Sequence, residues 1–506
     1  MTSRSISAPR RHSPAISAAR PHWLERWPLI ALLVFAALLR FVTLDHQSLW
    51  YDEAVTAVRV LHPSLSATLS AVGHFENTPP LYYMLEWLWT RALGTGMFAL
   101  RALSAFAGVG TVAVAWAIGR RLGSRRAAIM LAAIIATNPL FVWYSQEARS
   151  YELFVLLAAV ALLFFLRARE APTTRNLALW ALASALALAT FYFAVFLCLI
   201  EAALLLVRPA PDRRPPIAIA ADRRRLGAVA AVAVAGLALL PLLLAQHARG
   251  LNWITNWPLH TRLGAIGYYY LVGESGRPLG HLVMLAALAP IAAAVMLVPK
   301  LEPRARAGAL LCAGIGVAAI VLPLLLALAG VDYLAPRYLV GVWVPLSAAL
   351  ALVLAARASL AGVTLAVLIC LANLGVDAAV VRRPQLQRGD WRGAAEALRP
   401  AARDRAVVVA VIGGAPLQYY IPSLSNLNAR ASVTVHEVDL VDYAPIRRAA
   451  TRPPARGLHL VNRRSIHGLV VLRFRSRLPV TIPAQRLLAD RPVNVDTEAL
   501  ASPAAR

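Results

Sequence analysis

The sequence predicts an all-α polytopic membrane protein with a small α/β region at its C-terminal end, on three observations. The 506 residues are 59% hydrophobic and only 15% charged, with a mean hydropathy of +0.61, outside the range of an ordinary globular chain. Apolar runs close to the roughly 20 residues needed to cross a bilayer recur along the first three quarters of the chain. Short arginine clusters fill every second gap between those runs, the pattern of a chain sorted by the bilayer.

Single spans are expected at residues 27–44, 98–119, 127–143, 151–166, 226–245, 282–298, 307–329, 339–356 and 360–381. Residues 177–207 are too long for one upright helix, and TFYF in their middle offers a turn, so they divide into two spans and the count becomes eleven. The first run follows a basic tail, as a signal peptide would, but it lacks a small-residue cleavage site and reads as a retained anchor.

The formal charge of +26 sits in topology signals rather than in a nucleic-acid footprint. With the basic tail 1–26 inside, the inner segments are GRRLGSRR (119–126), RAREAPTTR (167–175), RPAPDRRPPIAIAADRRR (208–225), PKLEPRAR (299–306) and the short ARA at Arg357. The outer segments are poorer in cations. An odd count then places residues 382–506 outside the cytoplasm, on the same side as the loop 45–97. Cys198, Cys312 and Cys370 each lie within an apolar run, which supports neither a disulfide framework nor a cysteine metal site.

Pro79–Gly94 (PPLYYMLEWLWTRALG) resembles a span but is short, carries Glu86 and Arg91, and is loaded with Tyr82, Tyr83, Trp87 and Trp89. Counting it as a span would put GRRLGSRR outside, so it is expected as an interfacial helix. The tail begins with QRGDWRGAAEALR, where Asp390 can cap a helix and Trp391, Ala394, Ala395 and Leu398 share one face. AVVVAVIGG, ASVTVHEV and GLVVLRF read as strands, and the chain from about Asp490 reads as frayed. There is no internal repeat.

Candidate chemistry gathers in the outer segments. SLWYDEAVTAV places Asp52 and Glu53 just after the first span, beside Trp50 and Tyr51. Acids at a helix start are ordinary, since Asp favours the cap and Glu the first turn. Their place at the membrane surface, where an ionised group loses hydration, makes them functional candidates. HFENTPPLYY adds His74 and Glu76, WYSQEARSYE adds Glu147 and Arg149 in a short turn, and YLAPRYL adds Arg337 and Tyr338. Arginine suits a phosphate held in fixed geometry, a partly desolvated carboxylate can take a hydroxyl proton, and a metal held by carboxylate and imidazole could neutralise a leaving phosphate. These residue types fit transfer from an anionic lipid.

The ordered set LR-x8-LWYDEA (from Leu39), ENTPPLYYMLEW, ALRALSAFAGVGTVAVAWAIGRRLG, SQEARSYEL and PRYL resembles the family 39 type of GT-C integral-membrane glycosyltransferases, which includes protein O-mannosyltransferases and lipid A aminoarabinose transferases. The resemblance covers most of residues 30–380; its first three elements are fairly specific and PRYL alone is weak. It implies a GT-C fold, a polyprenyl-phosphate sugar donor, an active site on the external face of the cytoplasmic membrane and inversion at the anomeric carbon. It assigns Asp52 as general base or acceptor-binding carboxylate and makes Glu53 a second catalytic candidate or a residue that positions the first loop. Arg149, Arg337 and Tyr338 become candidates for the donor phosphate, with Glu147 and Tyr82 as further site candidates. Glu76 matches the loop carboxylate that binds metal in the aminoarabinose transferases, so a divalent cation is a candidate cofactor, with His247 or His260 as partner. His74 reads as loop packing. The acceptor is a lipid, a glycan or a protein hydroxyl.

Two features depart from that pattern. The tail holds no recognisable sugar-binding module, and the outer loop Gln246–Gly280 is rich in Trp and Tyr without an evident charge pair. Trp253, Trp257 and Tyr268 to Tyr270 either stack on sugars or form an interfacial belt. The principal rival is a secondary transporter, which would carry charges at mid-membrane; here Glu201 is the main ionisable exception within the apolar runs. A membrane scaffold is a third reading, which leaves the acids and arginines without a task.

Overall fold

The computed structural model describes residues 22–207, 222–247, 254, 256–274, 279–356, 359–399, 404–410, 413–444, 452–489 and 497–505. The basic N-terminal tail, most of the inner segment 208–225, Arg357 and Trp253 lie outside them.

A helix stands at each expected span. They are α1 (His22–Phe41), α5 (Met97–Leu122), α6 (Arg125–Thr137) with α7 (Pro139–Ser145), α8 (Tyr151–Glu170), α9 (Thr174–Thr190), α10 (Ala194–Leu206), α11 (Arg223–His247), α13 (His281–Ala294), α14 (Pro303–Leu328), α15 (Trp343–Leu354) and α16 (Leu360–Arg382). Among the described residues seven are long and apolar enough to cross a membrane by themselves, and the bent α6–α7 pair makes an eighth. The other three expected spans fall on shorter helices: α1, α9 and α10. TFYF turns the chain as expected, because α9 ends at Thr190 and α10 begins at Ala194.

The run 127–143 is broken rather than straight. Its two helices meet at 58°, and the cause is Pro139, which has no N–H to offer the carbonyl of Ile135 and pushes Asn138 into an extended conformation (ψ 126°). The Asn138 side chain caps the second helix by accepting the N–H of Leu140 at 3.0 Å. Arg40, on α1, satisfies what the break frees: it donates to the carbonyls of Ala136 at 2.9 Å and Ile135 at 3.3 Å and to Ser145 Oγ at 2.9 Å. A fully buried arginine in an apolar helix is thus explained as a replacement for lost helix bonds.

The first outer loop contains α2 (Tyr51–Val55), which runs on as a π turn (Thr56–Val60), then α3 (Leu65–Phe75) and α4 (Leu81–Leu93). The last is the aromatic helix expected at the interface. Ser64 caps α3 by accepting from Ala67 N at 3.2 Å. Among the described residues of the loop after α11 stands a further helix, α12 (Leu259–Val272).

Ion pairs sort by the expected side. Glu53–Arg101, Glu76–Arg149, Asp52–Arg337, Glu147–Arg388 and Asp332–Arg262 each join two segments from the expected outer end. Arg121–Glu170 joins two from the inner end. The Arg262–Asp332 pair, at 2.5 and 2.7 Å, corrects the expectation that loop 246–280 lacks one; its partner lies in the next outer loop.

The C-terminal region holds α17 (Trp391–Ala397), α18 (Ala415–Tyr420), α19 (Ala484–Ala489) and six strands. These are β1 (Arg405–Val409), β2 (Ser425–Asn426), β3 (Ser432–Tyr443), β4 (His459–Ile466), β5 (Leu469–Pro483) and β6 (Glu498–Ala501), in sheet order β2-β6-β1-β3-β5-β4. Strands β1 and β3 run parallel; the other neighbours are antiparallel. Asp390 caps α17 by accepting from Gly393 N at 2.9 Å, and Trp391, Ala394, Ala395 and Leu398 are all buried. The expectation of a frayed end from Asp490 falls partly on residues 490–496, which lie outside the described residues; for 497–505 it is corrected, because EALA of β6 pairs with both β1 and β2 and buries Leu500.

Candidate active site

A cavity of about 730 Å³ opens where the outer loops meet. Its upper wall is polar and comes from four separate parts of the sequence: Tyr51 and Asp52 from α2, Glu76 to Thr78 from the loop before α4, Arg149 from the turn between α7 and α8, and Arg337 with Tyr338 from the turn before α15. Its lower wall is apolar. Leu188, Phe193, Val195, Leu239, Leu243, Leu244 and Leu326 line it, and Val195, Leu243, Leu244 and Leu326 are also exposed on the helix surfaces. These apolar residues come from the ends of α9, α11 and α14 and the start of α10, so the cavity joins a polar patch to an apolar one.

Arg149 is fixed by a two-pronged contact with Glu76, Nη1–Oε1 at 2.5 Å and Nη2–Oε2 at 2.8 Å. Its Nη1 also donates to Thr56 Oγ1 at 3.2 Å, and its guanidinium lies 5.9 Å from the centre of the Tyr83 ring. Arg337 Nη1 stands 3.6 Å from Asp52 Oδ2, an ion pair too long to be a hydrogen bond. The Asp52 side chain is 22% exposed. The structure thus brings two carboxylates, Asp52 and Glu76, and two guanidinium groups to one wall, with Glu76 engaged by Arg149.

Glu53 is placed elsewhere. It is fully buried and held by both Nε and Nη2 of Arg101, each at 2.7 Å, and it also accepts the N–H of Ala148 at 3.0 Å. Burial acts to raise its carboxyl, but the Arg101 charge and hydrogen bonds outweigh that, with help from Arg388, and hold it below the usual carboxylate range. The expectation of a direct catalytic role is corrected on geometry: adjacent side chains on a helix point about 100° apart, so when Asp52 faces the cavity Glu53 faces the protein. Arg101 also donates to the carbonyls of Leu44, Gln47 and Ser48, so the pair stitches α5 to the start of the loop.

Glu147 and Tyr82 are corrected in the same way. Glu147 is buried against Arg388 at 3.0 Å and lies outside the cavity wall. Burial pushes its carboxyl up to about 8, against the pull of Arg388. Tyr82 is wholly buried, packed edge-on against Tyr83, and is not in the cavity wall. Neither has access to a substrate.

The metal expected from the resemblance does not fit these residues. Both oxygens of Glu76 are engaged by Arg149, and His247 Nδ1 is hydrogen-bonded to the Tyr333 hydroxyl. His260 is exposed and outside the cavity wall. Among the described residues no three His, Cys, Asp or Glu side chains converge to hold an ion.

The remaining expectations resolve as packing. His74 bonds its own helix at Ser70 O. Tyr270 stacks on Trp343 and hydrogen-bonds Ser347, and neither Trp257 nor the Tyr268 to Tyr270 run lines the cavity. Glu201 accepts from Trp180 Nε1 at 2.8 Å, tying α10 to α9. Four cavity residues carried no warning in the sequence: Tyr192, Gln246, His247 as a hydrogen-bonding rather than metal group, and Tyr333. Gln246 accepts from the Tyr192 hydroxyl and donates to the carbonyls of Val72 and Thr78, which fixes the far side of the polar wall.

Comparisons with known proteins agree with this geometry. Residues 77–220 match the family model described as dolichyl-phosphate-mannose-protein mannosyltransferase. The fold is similar to ArnT from Cupriavidus metallidurans bound to undecaprenyl phosphate, at 13% identity and a TM-score of 0.54, covering 88% of this chain and 98% of that one. The apo state of the same protein gives 13% identity, a TM-score of 0.55 and coverage of 89% and 98%. No curated protein matches the sequence. The likeness to these structures shows a shared fold, and the apolar helices make the chain a multi-pass membrane protein.

Proposed function

We propose that this protein transfers a sugar from a polyprenyl-phosphate donor to an acceptor hydroxyl at the external face of the cytoplasmic membrane, with inversion. One observation carries the reading: a single cavity is lined by two arginines with Asp52 and Glu76 and also by leucines from the ends of spanning helices. That is the shape of a lipid phosphate. Its head belongs at Arg149 and Arg337, and its polyprenyl chain at Leu239, Leu243 and Leu326.

The chemistry follows from placement. Asp52 takes the proton of the acceptor hydroxyl as the oxygen attacks the anomeric carbon from the face opposite the phosphate. The bond from that carbon to the phosphate oxygen breaks, and the two guanidinium groups hold the departing lipid phosphate. A single displacement inverts the centre. The ArnT complex with undecaprenyl phosphate supports a lipid phosphate as the ligand class, and the family match supports a phosphate-linked sugar. Tyr338, beneath Arg337, lies with its ring 5.7 Å from that guanidinium and supports its orientation. We further propose that residues 27–381 form the transferase unit and 382–506 an external α/β unit.

The test uses purified protein in liposomes with polyprenyl-phosphate sugars and candidate lipid, glycan and protein acceptors. Release of free polyprenyl phosphate with a glycosylated product is expected; uptake of solute without product would support a transporter instead. Labelling of intact cells at an introduced cysteine near Arg463 should succeed if the C-terminal region faces outward.

A further inference from the structure

The helix that carries Asp52 is held by a strand from the far end of the chain. Arg59 lies in the π turn that continues α2, and its Nη2 stands 2.5 Å from Glu498 Oε2. The same oxygen accepts the N–H of Gly414 at 2.9 Å. Glu498 opens β6 and pairs in register with Val409 of β1, so its backbone is fixed by the sheet while its side chain reaches down to the loop.

The surroundings leave little slack. Gly413 has φ +94°, and a Cβ there would meet the Tyr51 ring at 2.9 Å. Ala415 is fully buried in one cluster with Ala54, Val55 and Val60. Tyr51 and Asp52 themselves line the cavity. A π turn carries one extra residue per hydrogen-bonded ring and recurs at functional sites. Partly exposed ion pairs add little stability, about 0–1 kcal/mol, so a carboxylate shared between two donors is better suited to fixing an orientation than to holding the fold.

We propose that Glu498 is a positioning residue: through Arg59 and the N–H of Gly414 it sets the pitch of the Tyr51–Val60 helix, and so the place of Asp52 opposite Arg149 and Arg337. The C-terminal region is on this account a working part of the site. The proposal rests on the role given to Asp52 above. It predicts a split in the kinetics. Arg149 is held by Glu76 and Tyr83, outside this helix, and touches the helix at Asp52 O and Thr56 Oγ1, so donor KM should rise less than the fall of about 10- to 100-fold in kcat, the scale expected when a reacting group is misplaced by about 1 Å.

The experiment uses the full chain in lipid nanodiscs. Glu498→Ala, Glu498→Gln, Arg59→Glu and the exchanged pair Arg59→Glu with Glu498→Arg are compared for kcat, donor KM and backbone hydrogen exchange. The expected result is faster exchange in residues 50–60 of each single variant, with unchanged exchange in β1 and β3, a fall in kcat, and partial recovery of both in the exchanged pair. Unchanged kcat and unchanged exchange at 50–60 in Glu498→Ala would overturn the proposal. So would exchange that rises equally in the sheet, since that marks a folding role. If the exchanged pair does not fold, Glu498→Gln decides: it keeps a neutral acceptor and should fall between wild type and Glu498→Ala. If wild-type protein moves no sugar from any polyprenyl-phosphate donor, the functional reading fails, and the exchange data alone still decide whether Glu498 holds the turn.

Discussion

Asp52 and Glu53 are adjacent in sequence, yet they belong to two groups of charges with different surroundings. On the cavity side stand Asp52 and Arg337, partly exposed and 3.6 Å apart. Behind them stand Glu53 with Arg101 and Glu147 with Arg388, buried and in hydrogen-bonding contact. Arg101 and Arg388 each bond their acid and backbone carbonyls, so the buried pairs fix where the loops lie. The exposed pair is loose, so its members can change partners when a phosphate and a hydroxyl arrive. Charge placed for rigidity and charge placed for reaction are separated here by the turn of one short helix.

That comparison is broken most directly at Asp52. Asp52→Asn should lower kcat by about 10²- to 10⁴-fold, the usual worth of a positioned base, with thermal stability and donor binding unchanged in single-turnover and binding assays. Glu53→Gln should do the reverse. Leaving Arg101 buried without its counter-charge costs about 3–5 kcal/mol, which will be read as a lower melting temperature, while the fraction that stays folded keeps its kcat.

Smaller effects sharpen the contrast. Arg337→Lys should raise donor KM by about tenfold, equivalent to about 1.4 kcal/mol, because lysine has no planar fork for a phosphate. Arg149→Lys should raise it further, since it also releases Glu76 and loosens Thr56. Both are measured by titration with polyprenyl phosphate.

The smallest effect is expected from pH. The Glu147 carboxyl is pushed up to about 8 by burial, so the folded state favours its neutral form. A carboxyl raised on folding contributes stability that is complete below its unfolded value, near 4.3, and is lost as pH rises through about 8. Glu147→Gln should flatten that part of the stability profile, seen in melting temperatures measured from pH 5 to 9. A chelator should leave the transfer rate unchanged, since the carboxylate expected to bind metal is occupied by Arg149.

Much of the architecture was legible in the sequence. Hydropathy located a helix at every expected span, and arginine clusters sorted their ends, because a bilayer imposes length and charge rules that act along the chain. The break at Asn138–Pro139 escaped the hydropathy reading, although the proline was in view. Its signal was Arg40, a cation in an apolar run that needed carbonyls to bond. The last strand escaped for a different reason: EALA is too short to declare itself, and only its two neighbours in the sheet make it a strand. Arg101 and Arg388 could have been suspected, since a cation near an apolar segment seeks an acid, but nothing local named the acid.

By itself, then, the sequence located the apolar helices and placed the acids and arginines in the segments between them. The tertiary structure decided which of two adjacent carboxylates reaches the cavity, which arginine each acid takes, and that Glu498 meets Arg59 across 439 positions. The reason is physical. Burial and topology depend on properties summed over a segment, whereas the facing of one side chain depends on helix phase, and the choice of a partner depends on packing between segments far apart in the chain.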